Sequence, residues 1–161
     1  MRLPGLLASA DAILVASRAR VPSLAPATIV AIGWATVDAE RAIVELGGAR
    51  WTTGPRDELL GARARLRAAK PADREVAVGL VVLEPDSEGR LAASLARFGE
   101  GVAAVYVRGR GEPSGDRPGD RIGPLGPGPF GPARLVRGGP AWGPHVIVVG
   151  SPALAVDDVV E

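Results

Sequence analysis

The sequence predicts an α+β fold: a curved mixed sheet of short strands with two short helices laid against it. Three observations carry this prediction. The stretch EVAVGLVVLEPDSEGRLAASLARFGEGVAAVYVR, Glu75 to Arg108, reads as strand, sharp turn, amphipathic helix, glycine exit and second strand. Branched apolar runs such as TIVAIGWAT and HVIVV have the length of buried strands rather than of helices. With Gly 22 and Pro 15 in 161 residues, the chain turns too often for a helical bundle.

Taken in order, Asp11–Ser17 is short, branched and apolar and predicts a strand. Pro22 and Pro26 bracket a turn before the buried strand Thr28–Thr36, which carries Trp34. Asp38 and Glu40 open a helix that runs to about Leu46, their charges complementing the positive helix end. Ala39, Ala42, Ile43 and Leu46 form its apolar face; Gly47 and Gly48 stop it, and Ala49–Thr53 begins the next strand. Arg56–Ala69 has helical propensity, yet Ala62, Ala64 and Leu66 alternate with Arg63, Arg65 and Arg67, the period of a half-exposed strand. A turn at Asp57–Leu60 followed by a strand with outward arginines is the favoured expectation.

Glu75–Glu84 predicts a strand closed by Pro85, with Asp86 or Ser87 capping the helix that follows. Leu91, Leu95 and Phe98 recur at i, i+4 and i+7 and predict one buried stripe. Gly99 and Gly101 release the chain into the strand Val102–Val107. Gly109–Pro132 has no strand or helix period and predicts a long connection or flap. Arg134–Arg137 and His145–Val149 read as closing strands, and Ser151–Glu161 as a weakly held tail. The whole chain, of 16.5 kDa, is expected to form a single domain.

Composition excludes several chemistries. Aromatic residues are 4% of a chain that is 47% hydrophobic, so Ala, Val and Leu must fill the core. All but one of the 19 basic residues are arginine, and net charge is +1, which supplies no general field for nucleic acid. The arginine, alanine, glycine and proline excess points to a GC-rich genome before it points to a function. Without cysteine there is no disulfide, thiolate nucleophile or sulfur-ligated zinc. Pro4, Ser9 and Asp11 interrupt the apolar opening, and no run in the sequence reaches membrane length. The expectation is a cytoplasmic protein with neither nucleic-acid nor membrane partners.

The segments TVDAERAIVEL, VVLEP and SEGRLAASLARFGEG leading into VAAVYV resemble the vicinal-oxygen-chelate superfamily, which includes glyoxalases, methylmalonyl-CoA epimerases and bleomycin-resistance proteins. The resemblance covers residues 27–108. It implies two β-α-β-β-β modules whose curved sheet encloses a ligand cleft. It also implies a second module that is degraded, its helix replaced by the Gly/Pro segment, or rearranged, with Ala12–Val15 completing the sheet; a homodimer that shares strands is a further implication. Family enzymes place histidines and carboxylates on cleft strands to hold a divalent metal. Here the matching strands offer Gly79–Val82, Val102–Ala104 and a Thr28–Ala35 free of His, Asp and Glu, so no metal and no cofactor is expected.

Candidate residues carry two readings each. His145, Tyr106 and Glu84 are the candidate proton carriers; a structural histidine and a turn-supporting or surface glutamate are the competing roles. Trp34 and Trp142 can stack on a planar ligand or fill space, and Trp51 likewise. Arg108 and Arg110 can grip an anion at a strand end or stand in solvent. The leading expectation is metal-independent binding of a small organic metabolite in a glyoxalase-like cleft. One alternative is a metal-independent isomerase or lyase using general acid–base chemistry. Another is a structural or protein-interaction subunit, favoured if core side chains occupy the cleft.

Overall fold

The computed structural model describes residues 3–47, 50–67, 78–109, 121–139 and 142–150. Among these, eight strands form one mixed sheet: β1 Thr28–Ala35, β2 Trp51–Thr53, β3 Ala62–Arg67, β4 Gly79–Pro85, β5 Gly101–Arg108, β6 Ile122–Gly128, β7 Gly131–Val136 and β8 His145–Val149. Three α-helices accompany them, α1 Leu3–Arg20, α2 Ala39–Glu45 and α3 Arg90–Phe98. The strand order β2-β3-β4-β1-β5-β8-β7-β6 divides into two copies of one topology. In the first, β4 returns parallel to β1; in the second, β8 returns parallel to β5. The copies meet where β1 and β5 pair antiparallel.

Side chains alternate across this sheet, as the pleat requires. On the outer face Ile32, Val82, Val105 and Val148 bury against Leu6, Ala10 and Leu14 of α1 and Ala39 and Ala42 of α2. On the inner face Ala31, Leu83, Ala104, Tyr106 and Ile147 pack with Leu60 and Leu91. The sheet curls around that inner face. The Glu58 amide donates to the Pro127 carbonyl at 3.2 Å, joining the turn before β3 to β6. Leu59 lies over Gly126, where an added Cβ would come within 2.8 Å of it.

Local chemistry explains the elements that match expectation. Asp38 accepts from the Arg41 amide at 3.0 Å and caps α2. Such a cap satisfies one of the orphan donors of the first turn. Asp57 accepts from the Leu60 amide in the turn that precedes β3, and Ala62 and Ala64 are buried while Arg63 faces solvent. At the end of α3, Gly99 takes φ 73, a backbone setting that favours glycine.

Five expectations are corrected. Asp11–Ser17 is not a strand but the middle of α1. Over the longer span, Leu6, Ala10 and Leu14 recur every four residues, a helical stripe that a seven-residue window does not reveal. For the same reason Ala12–Val15 does not complete the sheet. Neither Asp86 nor Ser87 caps α3: Gly89 occupies the N-cap without a side-chain bond, and Asp86 pairs with Arg56. Phe98 is 59% exposed instead of buried, while Leu91 is fully buried and Leu95 partly so; it borders an open recess beside the start of β5. Finally, the Gly/Pro segment contains β6 and the start of β7. β6 is an edge strand, where Pro124 and Pro127 can lack amide donors without breaking a ladder. Expectations for Gly48, Ala49, Ala68–Ala77, Arg110–Asp120 and the tail from Ser151 lie outside the described residues.

Candidate functional site

The inner face is where a cleft would open, and its centre is occupied. Tyr106 on β5 is fully buried and its hydroxyl donates to Asp57 Oδ2 at 2.6 Å. Phe130, from the β6–β7 turn, meets the tyrosine ring edge-on with centroids 5.2 Å apart. On neighbouring β1, Gly33 is required by this packing: an added Cβ would stand 2.8 Å from Leu83 Cδ1, 2.9 Å from Ala104 Cβ and 3.3 Å from Tyr106 Cε2. Burial raises the Asp57 carboxyl, opposed by its bonds to Tyr106 and to backbone amides. Tyr106 is pushed well above the ordinary phenol range by burial and then by the Asp57 charge. The pair is a closed structural link rather than an open acid–base couple.

Nor does this face suit a divalent metal. Its central positions are Ala31, Gly33, Ala35 and Ala104, which have no donor atoms, and the nearby oxygens of Tyr106 and Asp57 are committed to each other. Among the described residues no group of three His, Asp or Glu side chains converges elsewhere.

An open cavity of about 600 Å³ lies instead at one end of the sheet, between α1 and the β7–β8 pair. Ala12, Ile13 and Ala16 of α1 form one wall, and Leu135 and Val146 contribute apolar floor. The rim carries Arg20, Arg90 and Arg137, all exposed. Arg20 reaches across the sequence to the Gly138 carbonyl at 3.4 Å. His145 lines the same space. It is 6% exposed, and its Nε2 has no hydrogen-bond partner among the described residues. Leaving such a buried atom unpaired costs on the order of 1–3 kcal/mol. Burial, reinforced by the Arg90 charge, lowers the His145 pKa to about 4. The imidazole is therefore neutral at pH 7.

The structure brings few of the expected residues together. His145 and Tyr106 share the inner side of adjacent parallel strands, because His145 is opposite Ala104 and Tyr106 is opposite Ile147. Only His145 reaches the cavity. Glu84 is on β4, paired with Arg63, and lines a separate recess of about 430 Å³. Trp34 packs on the outer core, and Trp51 stands under the Arg67 guanidinium 5.5 Å from its centroid. Trp142 is 45% exposed with Arg97 over its ring at 5.7 Å. Arg108 is exposed at the end of β5, opposite Thr28 and away from the cavity lining; Arg110 lies outside the described residues. Sequence reasoning missed Asp57, Arg20, Arg90 and Arg137. No spacing signal links them, since each comes from a different element or turn.

The doubled β-strand topology and curled sheet define the vicinal-oxygen-chelate fold. Specifically, the chain is similar to the methylmalonyl-CoA epimerase of Mycobacterium tuberculosis, at TM-score 0.62 and 20% identity over 79% of this chain and 90% of that one. A variant of the Streptomyces coelicolor methylmalonyl-CoA epimerase, in complex with 2-nitronate-propionyl-CoA, matches at TM-score 0.60 and 20% identity, over 78% of this chain and 97% of that one. A hypothetical protein from Bacillus halodurans matches at TM-score 0.51 and 14% identity, covering 79% and 97% respectively. At these identities the likeness establishes the fold. No protein-family model matches the sequence, and no curated protein matches it significantly. No described helix is long and apolar enough to cross a membrane.

Proposed function

We propose that this chain binds a small organic metabolite, without a metal, in the cavity between α1 and the β7–β8 pair. The observation that carries the reading is a cavity of about 600 Å³ with an apolar floor, rimmed by Arg20, Arg90 and Arg137 and lined in part by the buried His145. That volume lies within the range of small-molecule sites, and an apolar floor with a few polar groups is their usual make-up. On this reading the ligand sits at the His145 end of the sheet, a choice supported by the packing at the centre of the inner face.

The test is a metabolite screen by ligand-observed NMR, repeated with Ala16→Trp. Ala16 is exposed on α1 and lines the cavity, so the indole fills the space without entering the core. Saturable binding lost in this variant, at unchanged melting temperature, supports the reading. Absence of any saturable ligand, or binding indifferent to the variant, leaves the structural or interaction-subunit class in its place.

A second reading, an isomerase working by acid–base chemistry, is favoured by the fold likeness to proteins named methylmalonyl-CoA epimerase. His145 would accept a proton at Nε2 while a neighbouring arginine stabilised the resulting enolate. Its lowered basicity argues that a bound anion must first raise the imidazole pKa. Exchange of a ligand's α-hydrogen for deuterium in heavy water, lost in His145→Gln with binding retained, is the outcome this reading requires.

A further inference from the structure

The geometry points to an amphiphilic organic anion, a carboxylate or phosphate carried on an apolar chain, as the class of ligand held among Arg20, Arg90, Arg137 and His145. This deepens the proposed small-molecule reading and rests on it. The whole chain carries a net charge of only +1, yet three guanidinium groups rim this one cavity and, among the described residues, no acidic side chain lines it. None of the three forms an ion pair among the described residues. The contrast with the recess beside β3 is direct. There Arg56, Arg63 and Arg65 also line a cavity, but each is neutralised, by Asp86, Glu84 and Glu40.

Guanidinium donors match the paired oxygens of a carboxylate or phosphate and bind them through charge-assisted hydrogen bonds. The neutral His145 ring lies in the lining beside them, so that it reports on whatever occupies the cavity. Ile13, Leu135 and Val146 line the same cavity with hydrocarbon, which an inorganic ion would leave uncovered. An acid with an apolar tail uses both surfaces.

His145 is the sole histidine, so its imidazole resonances report the site without assignment ambiguity. Isotope-labelled full-length protein would be titrated with hexanoate, hexyl phosphate and the uncharged hexanamide. Saturable shifts of the His145 signals with either anion, at least about tenfold weaker with the amide, are expected. Arg90→Gln and Arg137→Gln should each weaken the anion by about tenfold and leave the amide unchanged. The stronger of the two anions identifies the headgroup. Equal binding of hexanamide and the anions overturns the anion assignment while the small-molecule site stands. No shift with any of the three overturns both.

Discussion

The Tyr106 hydroxyl and the Asp57 carboxylate meet at 2.6 Å, both side chains fully buried, although 49 residues separate them in the chain. Asp57 Oδ1 holds the Leu60 amide at the same time. One carboxylate thus ties the turn before β3 to the middle of β5. Tyr106→Phe removes the one donor that the described residues place on Oδ2 and leaves that buried oxygen unpaired. The expected loss is about 2–4 kcal/mol of unfolding free energy, measured by urea denaturation. A loss below about 0.5 kcal/mol would mean that the pair contributes nothing net.

His145 should make stability depend on pH in a defined window. Its folded pKa of about 4 lies below the ordinary 6.5, so the unfolded chain binds the proton more readily. The contribution is complete above pH 6.5 and is lost as pH falls to about 4. Its full size is about 3 kcal/mol. Arg20, Arg90 and Arg137 are the charged groups that line the cavity with it. Denaturation at pH 7 and pH 4 in wild type and His145→Gln should differ by roughly that amount, and the single imidazole should titrate near pH 4 by NMR. Titration near 6.5 would contradict the burial described.

Gly33 should resist the smallest enlargement. Its would-be Cβ falls 2.8 Å from Leu83 Cδ1 and 2.9 Å from Ala104 Cβ, both in a packed core. Gly33→Ala is expected to cost about 1–3 kcal/mol. Adding Tyr106→Phe should not restore it, since the nearest clashes are with Leu83 and Ala104. Melting curves of the single and double variants decide the matter.

Gly126 sits where the curled sheet meets the turn before β3. A side chain there meets Leu59 Cδ2 at 2.8 Å, beside the Glu58–Pro127 hydrogen bond. Gly126→Val should push the turn from β6 and speed hydrogen exchange at the Glu58 amide by about tenfold or more. Exchange unchanged from wild type would show that this contact does not hold the sheet closed.

Much of the fold was legible because local chemistry and tertiary packing agree. The alternation of Ala62, Arg63, Ala64 and Arg65 marked β3 despite its helical propensity, and the VVLEP-helix-GEG run marked β4, α3 and β5. The failures share one cause. α1 hid because Leu6, Ala10 and Leu14 make sense only over an 18-residue span. β6 hid because edge-strand pairing is made by backbone atoms, and its Gly and Pro side chains leave no period. Phe98 matched a helical stripe, but whether each member of a stripe is covered depends on what packs over it.

By itself the sequence determined the α+β class, most strand positions in residues 28–108, the absence of thiol chemistry, and the lack of metal ligands on the strands that resemble the superfamily. These follow from residue type and period along the chain. The tertiary structure alone decided that Tyr106 faces Asp57 across a closed core, and that His145 shares a cavity with three arginines from α1, α3 and the end of β7. Such meetings depend on strand register and the curl of the sheet. Pairing and curvature act between segments far apart in sequence, where no local pattern records them.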